Sequence, residues 1–152
     1  MGIQRVGHLG ICVSDLLRSL RFYRDLLGFQ ELSRLEVAGT HADRLLGLQN
    51  VKLSAVYLER DGMRIELLAF ASPDPPEAPA PRPVNQLGLT HLSVRVKDLG
   101  AVVDELRSAG VQVLEATRIS VAAGSAAVFV TDPDGTRIEL VEIPGDPSLP
   151  PN

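Results

Sequence analysis

Four side chains in this sequence have the types and spacing to do chemistry together: His8, Glu66, His91 and Glu139. Each His is followed seven residues later by an Asp, pairing His8 with Asp15 and His91 with Asp98. Each Glu stands in a near-identical heptad, Asp61-Gly-Met-Arg-Ile-Glu-Leu67 and Asp134-Gly-Thr-Arg-Ile-Glu-Leu140, which differs only at Met63 and Thr136. One module is therefore written twice. Taken singly, each of these residues reads as a strand His satisfied by a hydrogen bond, or as a Glu paired with an Arg such as Arg64 or Arg137. The same residue types at equivalent positions of both copies are hard to obtain by chance. Two imidazoles and two carboxylates suit a divalent first-row metal ion (Ni²⁺, Zn²⁺, Co²⁺, Fe²⁺ or Mn²⁺) and leave coordination positions for water or a substrate.

Strands must place these groups, because a period of two puts alternate side chains on one face. Over residues 63–70, Met63, Ile65 and Leu67 oppose Arg64, Glu66 and Leu68; in the last strand Ile138 and Leu140 oppose Arg137, Glu139 and Val141. Residues 6–13 and 89–96 alternate likewise, setting His8, Gly10 and Cys12 on one face, and His91, Ser93 and Arg95 on the corresponding face. Each of these first strands leads into a helix. Asp15 or Ser14 caps the first and Gly28 stops it; Asp98 and Gly110 bound the second. Phe22, Tyr23 and Phe29 fall at core positions. Three short strands complete each copy, at 30–37, 53–59 and 63–70, and at 112–116, 126–131 and 136–143, with Asp61-Gly62 and Asp134-Gly135 as hairpin turns.

The expectation is an α+β fold of two tandem βαβββ modules, residues 1–71 and 88–144, forming one structural domain. A Pro-rich linker, 72–87, joins them and a loose tail, 145–152, follows; the six prolines from Ser72 to Pro83 favour an extended connection. Modules curled toward one another would bring His8, Glu66, His91 and Glu139 together. The His-to-Glu interval is 58 residues in the first copy (8 to 66) and 48 in the second (91 to 139), and the extra residues are placed near 38–50. Within them, 39–48 reads as a short helix, either a lid or, more simply, a packing helix, with His41 exposed.

With 152 residues, 45% of them hydrophobic and 22% charged, the chain has material for a proper core, which excludes wholesale disorder. A net charge of −4 gives no electrostatic match to phosphate backbones, so nucleic acid is not an expected partner. No apolar run approaches the ~18 residues of a membrane span. Cys12 stands alone and cannot form an internal disulfide, and the first residues, Met1 to Arg5, lack a basic start with an apolar stretch behind it. A cytoplasmic location is expected.

The segments Gly7-His-Leu-Gly-Ile-Cys-Val13, Phe22-Tyr-Arg-Asp-Leu-Leu-Gly-Phe29, Thr90-His-Leu-Ser-Val94 and Thr131-Asp-Pro-Asp-Gly-Thr-Arg-Ile-Glu-Leu140, with the first heptad, carry a family resemblance. From Val6 to Ile143 the chain resembles the vicinal oxygen chelate superfamily, the glyoxalase, bleomycin resistance and extradiol dioxygenase group. The resemblance implies a cupped mixed sheet around a divalent metal ion, with His8, Glu66, His91 and Glu139 as ligands, and a homodimer. Members similar to glyoxalase I use two His and two Glu, all kept here. Extradiol dioxygenases and fosfomycin-modifying enzymes typically use two His and one Glu, and methylmalonyl-CoA epimerases usually carry Gln where Glu66 stands. The ligand set thus favours a glyoxalase-I-like lyase or isomerase acting through a metal-chelated enediolate on a small carbonyl or thioester substrate.

Glu139 or Glu66 would serve as general base, and Glu139 is preferred because the family gives that role most often to the last-strand Glu. Glutathione-using members carry a basic residue four positions after the first His; Cys12 stands there, which counts against a glutathione hemithioacetal. The matching position of the second copy is Arg95, placed to pair with an anionic substrate group, and Cys12 becomes a small residue lining the substrate site. The alternative is a metabolite- or drug-binding protein of the same fold that sequesters without turnover, or an epimerase-like or dioxygenase-like member. Loss of a ligand would favour sequestration, and none is lost.

Overall fold

The computed structural model describes residues 2–76, 83–121 and 125–142. The chain divides between Ala78 and Pro79 into two compact units. Part of the linker (77–82), the end of the second module and the tail lie outside the described residues.

In the first unit, β1 (Leu9–Cys12) leads through helix α1 (Leu16–Leu20) to β2 (Gln30–Ala38), helix α2 (Thr40–Leu46), β3 (Lys52–Arg60) and β4 (Met63–Ser72). The sheet order is β1-β4-β3-β2. Strand β1 runs parallel to β4 while the other pairs are antiparallel, so a mixed sheet results. Asp15 caps α1, its carboxylate accepting from the Arg18 N–H. The helix does not continue as a regular α-helix to Gly28. From Arg21 to Leu26 it widens into a π-helical turn in which the Leu27 N–H donates to the Phe22 carbonyl. This wider turn carries Phe22 and Tyr23, adjacent in sequence, into the core together, their rings edge-to-face at 5.0 Å. Phe29 is buried too, as expected.

The extra residues of the first copy form α2. It packs on its own unit, burying Ala42 with Val51 and Leu53 against Val37, Leu68 and Phe70, as a packing helix does. His41 is exposed. Asp43 fastens the exit of this segment by accepting from the Asn50 and Val51 N–H groups.

In the second unit, β5 (His91–Arg95), helix α3 (Leu99–Ser108), β6 (Val113–Val121), β7 (Ser125–Thr131) and β8 (Arg137–Glu142) repeat the plan without an α2. The order is β5-β8-β7-β6, again with the first strand parallel to the last. Asp98 caps α3, and Glu142 at the end of β8 accepts from the Leu99 N–H, tying helix to sheet. Leu99, Val103 and Leu106 on α3 are buried, as are Ile138 and Leu140 on β8.

Three local expectations change. The first strands are shorter than 6–13 and 89–96, so His8 stands just ahead of β1 and His91 opens β5. The second strand of the second copy, β6, is longer than 112–116, because Thr117 bridges an interruption in its pairing with β7: its hydroxyl donates to the Leu114 carbonyl and accepts from the Phe129 N–H. Asp61-Gly62 makes the expected two-residue turn, both residues having positive φ. Asp134-Gly135 instead sits in a longer loop organised by buried Asp132. No helix among the described residues is long and apolar enough to cross a membrane.

Candidate metal and active site

Parallel pairing of each unit's first and last strands brings His and Glu together. In the first unit Gly10 lies opposite Glu66, and in the second Ser93 lies opposite Glu139, so each Glu faces the residue two beyond its unit's His. Residues two apart share a face. His8 Nε2 consequently approaches Glu66 Oε2 at 3.0 Å, and His91 Nε2 approaches Glu139 Oε2 at 3.6 Å. The flanking residues Ile65 and Leu67, and Ile138 and Leu140, point into the core and fix the strand faces.

The antiparallel neighbour adds an aromatic ring to each pair. Tyr57 on β3 is opposite Glu66, and Phe129 on β7 is opposite Glu139. Their rings meet the imidazoles edge-to-face, at 5.1 Å for Tyr57 with His8 and 5.4 Å for Phe129 with His91. The neighbouring Glu66 carboxylate, together with burial, holds the Tyr57 phenol above its ordinary value of 10.0. In the second unit the Ser93 hydroxyl donates to Glu139 Oε2 at 2.8 Å, and the Thr90 hydroxyl contacts His91 Nδ1 at 2.8 Å. That second contact leaves Nε2 as the nitrogen turned to Glu139. The Arg137 guanidinium lies over the Phe129 ring, 5.5 Å from its centre.

The two pairs differ in tightness. The Glu66 side chain is 14% exposed and the Glu139 side chain 30%, and the second His–Glu contact is the longer. Cys12 and Arg95 are exposed at the far ends of β1 and β5, opposite Leu68 and Val141. Within neither unit do the described residues gather three or more His, Cys, Asp or Glu side chains into a set of ligands, so each unit by itself offers a two-donor pair.

These pairs fit a transition-metal ion. Metal–nitrogen and metal–oxygen bonds of about 2.0–2.2 Å separate neighbouring donors by about 3.0 Å at right angles and about 3.4 Å at the tetrahedral angle. The observed 3.0 and 3.6 Å lie at or near those limits. The hydroxyl partners of Glu139 and of His91 are of the kind that orient ligands from behind.

Residues 5–140 match the profile of the Glyoxalase/Bleomycin resistance protein/Dioxygenase superfamily. The chain belongs to that superfamily. Among its relatives is an uncharacterised protein of Escherichia coli, YaeR, 36% identical over 142 residues that make up 93% of this chain and 98% of YaeR. A glyoxalase family protein from Bacillus cereus shares the fold with a TM-score of 0.81 at 23% identity, over 93% of this chain and 95% of the other. The trypanothione-dependent glyoxalase I of Leishmania major aligns with a TM-score of 0.64 at 24% identity, covering 92% and 87% of the two chains. At such identities the structural likenesses speak to fold alone, two βαβββ-like modules each with a four-stranded mixed sheet.

Tyr57, Ser93, Thr90 and Phe129 were not legible as site residues from the repeat alone. The available signal was an aromatic residue one strand ahead of each Glu, nine residues before Glu66 and ten before Glu139.

Proposed function

We propose that this chain is a metal-dependent lyase or isomerase of the glyoxalase kind, acting on a small carbonyl or thioester compound that carries neighbouring oxygen atoms. The observation behind this reading is the repetition of one construction, an imidazole and a carboxylate paired across parallel strands, in both units. His8, Glu66, His91 and Glu139 would hold the ion, which when bound supplies Lewis acidity to stabilise negative charge on substrate oxygen. Glu139 takes the proton from the carbon beside the carbonyl and returns it to the neighbouring carbon. Its greater exposure and longer contact with its His support that role over Glu66, which is held more closely. A positioned base of this kind contributes roughly 10²–10⁴-fold to rate. Arg95 pairs with an anionic group of the substrate, and Cys12 lines the site.

The test is deuterium uptake from D₂O into a panel of 2-oxo and acyl-thioester carbon acids, followed by NMR with Co²⁺-loaded protein. Exchange at the acidic carbon that falls at least about 100-fold in Glu139→Gln, with the ion retained, is the expected result. Exchange undiminished in that variant would remove Glu139 from the base role.

A further inference from the structure

Helix α2, which has no counterpart among the described residues of the second unit, packs on the same face of its sheet that carries the His8–Glu66 pair. Alternation places Glu66, Leu68 and Phe70 of β4 on one face. The ladders set Gly10 and Tyr57 beside Glu66, Cys12 and Ala55 beside Leu68, and Leu53 beside Phe70. Leu53, Leu68 and Phe70 all belong to the apolar cluster around Ala42 of α2, so Leu68 is backed by the helix on one side. On the other side its Cδ1 leans over β1, where a Cβ added to Gly10 would meet it at 3.2 Å. Gly10 is the residue opposite Glu66, and Leu68 therefore reaches the flank of the His8–Glu66 pair.

The two directions along β4 from Glu66 differ in chemistry. Toward the start of the strand the same face holds Arg64, opposite Glu59, and is charged. Toward its end the face holds Leu68, about 6.5 Å away by strand rise, with Cys12 opposite on β1, and then Phe70 against the helix cluster. Gly10 and Cys12 are small and exposed, Leu68 is half-buried and Ala55 is buried, so the open apolar space lies over Gly10 and Cys12 and is bounded by Leu68. In the second unit the matching positions hold Arg95 and Val141 in place of Cys12 and Leu68. We propose that Leu68, backed by α2, is a specificity-determining residue: it bounds the space beside the His8–Glu66 pair and admits substrates that carry a short, unbranched alkyl group next to their paired oxygens. This rests on the metal reading above.

The probes are unbranched alkyl hydroxamates, from acetohydroxamate to octanohydroxamate, which chelate a metal ion through two neighbouring oxygens and differ only in alkyl length. Each is titrated calorimetrically into the Zn²⁺-loaded full chain. Affinity is expected to rise about 4-fold per methylene over the shorter members, as a buried methylene does, and to fall about 10-fold or more at the first member that meets Leu68. Leu68→Ala is expected to move that break to a longer member. Gly10→Ala, at an exposed position without positive φ, is expected to move it to a shorter one, because the added Cβ enters the same space. That second variant carries the test by itself if Leu68→Ala does not fold. Affinity that rises through the longest member without a break, or a break at the wild-type length in the variants, overturns this inference and leaves the metal reading standing. Zn²⁺-loaded wild type that binds no hydroxamate, or wild type that takes up no Zn²⁺, overturns the metal reading and this inference with it.

Discussion

Replacing Asp132 with Ala is expected to loosen the strand that carries Glu139. Asp132 is 3% exposed, in the loop between β7 and β8. Its Oδ1 accepts from the N–H of Asp134 at 3.0 Å and from the N–H of Thr136 at 2.7 Å, while its backbone bonds Thr136 and Gly135. Hydrogen bonds to a charged acceptor contribute about 1.5–3 kcal/mol each. Both donors are only partly buried and water replaces some of the loss, so about 2–4 kcal/mol is expected for Asp132→Ala. Asp132→Asn keeps an oxygen at the same reach for both donors and loses only the charge, for about 1 kcal/mol. Because β8 starts at Arg137, directly after this loop, the loss should be local to β7 and β8. Peptide-resolved hydrogen exchange measures it: at 1.4 kcal/mol per factor of ten, protection in these strands should fall about 30- to 700-fold in the Ala variant. An Ala variant protected as well as wild type, or an Asn variant as damaged as Ala, would refute the reasoning.

The Glu31 carboxyl is held below its ordinary value of 4.5, first by a hydrogen bond from Arg34 and further by Arg24, against an opposing effect of burial. The folded state therefore binds that proton less readily than the unfolded state. Its contribution to stability is present above pH 4.5 and is lost as pH falls through the depressed folded value, so Glu31→Gln should flatten the acid limb of urea midpoints against pH. Gly28 has φ +71, and a Cβ there would stand 2.8 Å from Arg60 Nη1, whose guanidinium donates to the Leu27 carbonyl. Gly28→Ala should cost about 1–2 kcal/mol in urea unfolding, the left-handed backbone supplying most of it and a shift of the flexible Arg60 the rest; no measurable change would mean that the turn relaxes freely. Leu140 is fully buried on β8, and Leu140→Ala should cost about 2–5 kcal/mol by the same assay.

Much of the first-order plan was readable because it was written twice. Matching His8 with His91 and Glu66 with Glu139 located both pairs, and the period-two alternation around Ile65, Leu67, Ile138 and Leu140 showed which face each Glu takes. What sets the pairs' fine geometry was not readable, since it depends on register between strands. The loop between β7 and β8 is longer than the turn between β3 and β4, so Tyr57 and Phe129 stand at unequal distances from their Glu residues and slip out of alignment when the copies are compared. Ser93 and Gly10 occupy the same register position, but only the ladder with β8 or β4 reveals that each faces a carboxylate. The π-helical turn was hidden for another reason. Leu16, Leu20, Tyr23 and Leu27 satisfy an α-helical period by themselves, and only the added burial of Phe22 demands the wider turn.

The most direct test of the metal assignment is metal content by inductively coupled plasma mass spectrometry, on untagged protein as purified and after loading with Ni²⁺, Co²⁺ or Zn²⁺. The predicted result is a stoichiometric divalent ion that survives desalting and is lost in Glu66→Ala and in Glu139→Ala. No stoichiometric metal under any loading condition, or retention by both variants, would contradict it.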